Sequence, residues 1–143
     1  MNIKFAFAVN SDGVFEKKHF GDSEQFLIYK VLDNKIVYEE TIKNQHKKFD
    51  EKQEHGSKKK AKEIISLLKS NDIDVLVSMQ FGKNIKVINE HFIPIIIYTE
   101  TVQEVVNVIN KHLHWIEEEK NESTENYKLF TIKSGILKSA IKK

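Results

Sequence analysis

Six histidines are the side chains in this chain that can change charge near neutrality and ligate a metal as neutral imidazoles. One stands apart. His19 lies in "EKKHFGD", behind Lys17 and Lys18 and ahead of Phe20 and Gly21, in a polar stretch that follows the apolar run "KFAFAV". An imidazole in a loop just beyond a strand end can face a bound group there and take a metal ion through a ring nitrogen. The two neighbouring ammonium groups would favour an anionic ligand. The plainer reading makes His19 a surface residue, or a hydrogen-bonder that locks its own turn. Phe20 reads as a core plug rather than a stacking platform.

The other histidines carry less. His46 and His55 sit in a polar loop, 44–56, where isolated imidazoles are ordinarily solvated; closing over a metal is the sharper alternative. His112 and His114 end a predicted helix, where cations suit the helix dipole, and their spacing puts them on different helical faces. His91, near another helix end, reads the same way. With no cysteine, disulfides, thiolate zinc sites and cysteine nucleophiles are excluded. Any metal chemistry must use His, Asp or Glu, or a cofactor that brings its own sulfide.

Catalytic patterns do not assemble. There is no Gly-x-Ser-x-Gly elbow, no Gly-Lys-Ser/Thr phosphate loop and no His-Glu-x-x-His helix. A ribonuclease H-type nuclease needs a carboxylate in the middle of its first strand to help hold two metals. "IKFAFAV" has none, and Asp74 falls at the wrong end of its strand. A non-catalytic protein is expected.

A chain of 143 residues, 40% hydrophobic and 31% charged, fits an ordinary globular protein with one sizeable core. No apolar run nears bilayer length, "FIPIIIY" at 92–98 being among the longest, and the N-terminus lacks the pattern of a signal peptide. A cytoplasmic protein without a membrane partner is expected. The net charge of +2 is weak, and all 23 basic residues are lysines. Arginine is the usual bidentate reader of guanine and phosphate, so nucleic acid ranks low among partners. "SKKKAK" at 57–62 reads as a solvated helix start.

The elements that must position these side chains follow from hydrophobic period and turn residues. Residues 3–9 alternate as a strand and stop at Asn10-Ser11-Asp12-Gly13, a strong turn signal. Segments 25–31 and 35–42 form a hairpin about Asp33-Asn34. A helix from Ser57 carries Ala61, Ile64, Ile65 and Leu68 at helical spacing. Residues 73–77 and "FIPIII" read as strands covered on both faces, with Pro94 near the start of its strand. A short helix runs from Gly82 to about His91. Thr101-x-x-Glu104 is a capping box, opening a helix whose apolar stripe runs from Val102 to Leu113. From Ile116 to Asn126 the chain reads as an acidic linker, and 127–143 as a basic amphipathic helix, although Gly135 and "LFTI" disfavour it.

This order predicts an α/β fold: three layers, a mixed five-stranded sheet in order 3-2-1-4-5 with an antiparallel hairpin, and helices on both faces. That arrangement resembles the ribonuclease H-like architecture. Residues 1–115 would form the domain, and 116–143 a linker and C-terminal extension covering an apolar edge of the domain or of a dimer mate. Ligands in such sheets sit beyond the carboxyl ends of strands where the order switches, here between the first and fourth strands. Asn10, Ser11 and Asp12 arrive there with Ser78, Met79, Gln80 and Phe81, Thr99 and Glu100 lie alongside, and His19 hangs in the loop leaving the first strand.

"KFAFAVNSDG", "HFG" at 19–21, "QFLIYKVLDNKIV" and "DIDVLVSMQFG" together resemble the dinitrogenase iron-molybdenum cofactor binding family, over about 1–113. The resemblance implies a domain that binds an iron–sulfur or iron–molybdenum type cofactor, or its precursor. His19 would be the metal ligand. Ser11, Asp12, Phe20, Gly21, Gln80, Phe81 and Gly82 would shape the site. Partners would be a protein that donates or accepts the cofactor, with a homodimer as a further candidate. Two departures stand out. The glycine-rich turn usual after the fourth strand keeps only Gly82, and the histidine-rich loop of relatives keeps only His46 and His55. A module for protein–protein interaction or regulation, holding no cofactor, is the alternative.

Overall fold

The computed structural model describes residues 2–18, 20–44, 58–82 and 85–139. The first strand, β1 (Lys4–Val9), turns back antiparallel into β2 (Gln25–Leu32), which pairs with β3 (Lys35–Lys43). Asp33 and Asn34 join the hairpin, both with positive φ, at 52° and 63°. A two-residue turn of that hand matches the twist of the strands, and Asp and Asn tolerate it better than other non-glycine residues.

Then helices and strands alternate: α1 (Lys58–Ser70), β4 (Val75–Ser78), α2 (Ile85–His91), β5 (Ile93–Ile97) and α3 (Val102–Lys111). β4 lies parallel to β1, and β5 parallel to β4. The predicted capping box is present, with Thr101 accepting from the Glu104 N–H and Glu104 accepting from the Thr101 N–H.

The sheet has seven strands, not five, in the order β3-β2-β1-β4-β5-β6-β7. The predicted five-strand order survives as its first part. The added strands are β6 (Phe130–Lys133), parallel to β5, and β7 (Ile136–Ser139), antiparallel to β6. The expected acidic linker is largely helix α4 (Leu113–Glu122). Its acidic look misleads because Glu119, only 3% exposed, faces inward beside Ile116. Its carboxylate accepts from the Lys128 N–H at 2.8 Å and pairs with the Lys128 ammonium at 3.9 Å. The expected tail helix gives way to a hairpin because the open edge of β5 supplies a partner ladder, and Ser134-Gly135 make a tight turn with φ 54° and 75°. Pro94 sits where its missing N–H does no harm, one residue before the β5–β6 ladder begins at Ile95.

Two cores flank the sheet, and β1 shows how its strict alternation builds both. Phe5, Phe7 and Val9 face a core completed by α3 and α4 through Val105, Ile109, Leu113 and Ile116. Ala6 and Ala8 face the other, completed by α1 and α2 through Ile64, Leu68 and Ile88. The small alanines leave volume on that side for Phe20, Phe26, Phe81 and Phe92, all buried. Each such ring contributes about 1.5–3 kcal/mol by leaving water.

Candidate functional site

β1 ends at a turn folded around one side chain. The Asn10 side-chain oxygen accepts from the N–H groups of Asp12 (2.9 Å) and Val14 (3.0 Å), and its amide nitrogen donates to Glu16 at 2.6 Å. Gly13 completes the turn at φ 76°, a conformation that costs an L side chain energy. The Gln25 side chain donates to the Asn10 carbonyl at 3.1 Å, tying the turn to the start of β2. Ser11 and Asp12 stand exposed at its tip.

A second anchored piece follows position 19. Phe20–Asp22 form one 3₁₀ turn whose aromatic ring is fully buried and lies 5.9 Å from the ring of Phe81. The Phe20 N–H donates to the Gln80 carbonyl at 3.0 Å, so the turn is fastened to the segment leaving β4. That segment bends because the Ser78 hydroxyl bonds both the carbonyl and the N–H of Gln80. The Ser23 hydroxyl donates to the Phe20 carbonyl at 2.8 Å. Asn44, just past β3, donates from its amide nitrogen to the carbonyls of Gly21 (3.0 Å) and Ser23 (2.9 Å). Asn44 is 7% exposed, so these bonds form away from water.

Between the two pieces is a small cleft lined by Ala8, Val9, Asn10, Glu16, Lys18, Ser23 and Glu24, with 10 Å³ of room, about one water molecule. The lysines beside it are not equivalent. Lys18 pairs with Glu16 at 3.1 Å, while Lys17 is exposed with no ion pair among the described residues. The segment 10–24 also holds four carboxylates, Asp12, Glu16, Asp22 and Glu24. Local charge therefore draws an anion less strongly than the lysine pair alone suggests.

The predicted site residues divide accordingly. Phe20, Gly21, Gln80 and Phe81 come together, the two rings and Gly21 as buried supports. Gly82 lies just beyond them, exposed at φ 64°. Ser11 and Asp12 occupy the neighbouring turn and do not line the cleft. His19, His46 and His55 lie outside the described residues. Among the described residues no three His, Asp or Glu side chains converge as a metal site. Asn10, Ser23 and Asn44 do much of the local fastening. Asn10 was visible as a turn residue; Ser23 and Asn44 gave no signal, since their partners are carbonyls that any residue would present.

Glu100, at the carboxyl end of β5, is a support as well. Its carboxylate, 7% exposed, accepts from the N–H groups of Tyr98, Thr99 and Gly135 at 3.1–3.2 Å. Burial pushes its pKa up, but these backbone donors outweigh it and hold the carboxyl below its ordinary value.

These features define a class: a mixed α/β domain, covered on both faces, that gathers two fastened loops at a switch in strand order. The family is specific. Residues 1–112 match the family described as dinitrogenase iron-molybdenum cofactor, and the chain belongs to that family. The match runs from the N-terminus to the end of α3, leaving α4 and the β6–β7 hairpin beyond it. No curated protein matches the chain. Among the described residues, no helix is long and apolar enough to cross a membrane.

Proposed function

We propose that this protein is a non-catalytic, cytoplasmic carrier domain, of ribonuclease H-like arrangement, for an iron–sulfur or iron–molybdenum type cofactor or its precursor. Family membership over 1–112 carries the reading. The cofactor is cargo, taken from one protein and passed to another. His19 is its ligand, and residues 1–115 are the unit that binds it. The cleft among the described residues has room for about one water, so a cluster would rest against the loops rather than enter the sheet. Without thiolates, the protein would supply one imidazole to an open position on a cluster whose irons are otherwise bridged by the cluster's own sulfides. Ser11, Asp12 and Gln80, all exposed near the switch point, are the polar groups available to cargo held there.

Metal and sulfide content of protein reconstituted without oxygen with ferrous iron, sulfide and molybdate tests this. Wild type is expected to retain iron and sulfide with a visible absorption band, and His19→Ala to lose at least about tenfold in retention, since even losing a partner that orients a metal ligand typically costs that much. A colourless, metal-free wild type would sink the carrier reading.

One observation favours the second reading, a module for protein–protein interaction. An open groove of 240 Å³ lies between α4 and the β6–β7 hairpin, lined by Trp115, Glu118, Glu122, Phe130 and Ser139 among others, in the part beyond the family match. Partner capture that survives His19→Ala and fails in Trp115→Ala would support it.

A further inference from the structure

We infer that the groove between α4 and the β6–β7 hairpin docks an extended, lysine-rich segment of a partner protein. The inference rests on the interaction reading of that groove, names its occupant, and needs no cofactor. Trp115, Glu118, Glu119 and Glu122 recur at helical spacing, so they share the face of α4 that walls the groove. Glu119 serves the fold: it is 3% exposed and has Lys128 as a partner. Glu118 and Glu122 are exposed and make no ion pair among the described residues. The one lysine of α4, Lys120, is committed elsewhere, to the Asn2 carbonyl and to Asp74 at 3.4 Å.

Those two glutamates work against their own helix. They are like charges one turn apart, and Glu122 closes α4 at the negative end of its dipole. The first turn, where acids would stabilise, has none, and His112 gives no side-chain cap. A cation held across Glu118 and Glu122 relieves both conflicts, and such conflicts mark functional positions. Trp115 adds an anchor: its indole is 39% exposed and stacks on the His112 ring at 4.2 Å, which fixes its plane. A lysine stem can lie on such a ring with its ammonium at the carboxylates. The other wall points to a chain segment rather than a single amine. Ser139 belongs to β7, where the described sheet ends, so an unpaired backbone edge borders the groove. Alternate residues of an extended segment lie about 6–7 Å apart, close to the spacing of side chains one helical turn apart. The groove also lies at the amino edge of the sheet, since Phe130 opens β6 and pairs with Ser139. A docked partner therefore leaves the loops at the carboxyl edge uncovered.

Titrating the full-length protein with a capped peptide of alternating glycine and lysine tests this, read by the fluorescence of Trp115, the chain's one tryptophan. Spermidine, and the same peptide with norleucine for lysine, run beside it. The lysine peptide is expected to shift the emission saturably and to bind more weakly as salt rises. In Glu118→Gln/Glu122→Gln its affinity should fall at least about threefold. That variant should melt no lower than wild type; a lower melting temperature would mean that the pair serves the fold, and would overturn the inference. Glu40→Gln/Glu63→Gln, which removes two carboxylates from β3 and α1, should bind as wild type does. The absence of a saturable shift, equal weakening in both double variants, or equal binding of the norleucine peptide would each overturn it. So would spermidine binding as tightly as the peptide, which makes the ligand a free amine. A dimer in sedimentation that Glu118→Gln/Glu122→Gln abolishes would replace the partner with a second copy. If the peptide fails while partner capture still depends on Trp115, the lysine-rich class falls and the interaction reading stands. If capture is indifferent to Trp115 as well, both fall.

Discussion

Glu100 stands at the carboxyl end of β5 with three backbone N–H groups around its carboxylate, one of them from the turn that joins β6 to β7. A side chain so placed links pH to stability. Its folded pKa lies below the ordinary 4.5, so its contribution is present above that value and disappears as pH falls through the folded one. Glu100→Gln is expected to cost about 1–3 kcal/mol at neutral pH, because a neutral amide oxygen accepts these bonds more weakly. Urea unfolding of both proteins along a descending pH series checks the sign: the gap between them should close in acid. A gap that stays constant would mean that the charge contributes nothing.

The β6–β7 hairpin is where local sequence and observed structure part company. Its strands are four residues each, too short for their period to be decisive, and "LFTI" suits a strand or a buried helix turn equally well. What makes them strands is the ladder with β5, from Ile95 opposite Phe130 to Ile97 opposite Ile132. Ile132 is fully buried there against the α3–α4 core. Ile132→Ala should lower unfolding free energy by about 2–5 kcal/mol in urea titration, the range for a large-to-small change at a packed site. A cost under about 1 kcal/mol would mean that the hairpin is an appendage rather than part of the core.

That result bears on how the whole chain unfolds. The family match stops at 112, yet Leu113, Ile116, Phe130, Ile132 and Leu137 share one apolar core with Phe5, Phe7 and Val77. Unfolding is therefore expected as a single transition, with Trp115 fluorescence, which reports on α4, coinciding with far-UV circular dichroism. Deleting 127–143 should yield protein that aggregates, because β5 becomes an unpaired apolar edge. A soluble, folded truncation with the wild-type melting temperature would refute this.

The elements legible from the chain alone share one property: their causes lie close by in sequence. The alternation of "KFAFAV", the turn residues Asp33 and Asn34, the stripe and capping box of α3, and the doubly apolar β4 and β5 are settled by neighbours within a turn or a strand pairing. The strand order up to β5 followed from those pieces and from general rules of connection. "HFG" could be recognised as a family signature but not as a supported turn. Its support comes from Asn44, 23 positions from Gly21, and from the Gln80 carbonyl, which no side-chain pattern announces. The last two strands, α4 with its inward Glu119 and the tie from Glu100 to Gly135, 35 positions away, likewise depend on partners that meet only once the sheet has closed. A hydrogen bond or a strand ladder needs two groups to meet, and the second group's position belongs to the tertiary structure.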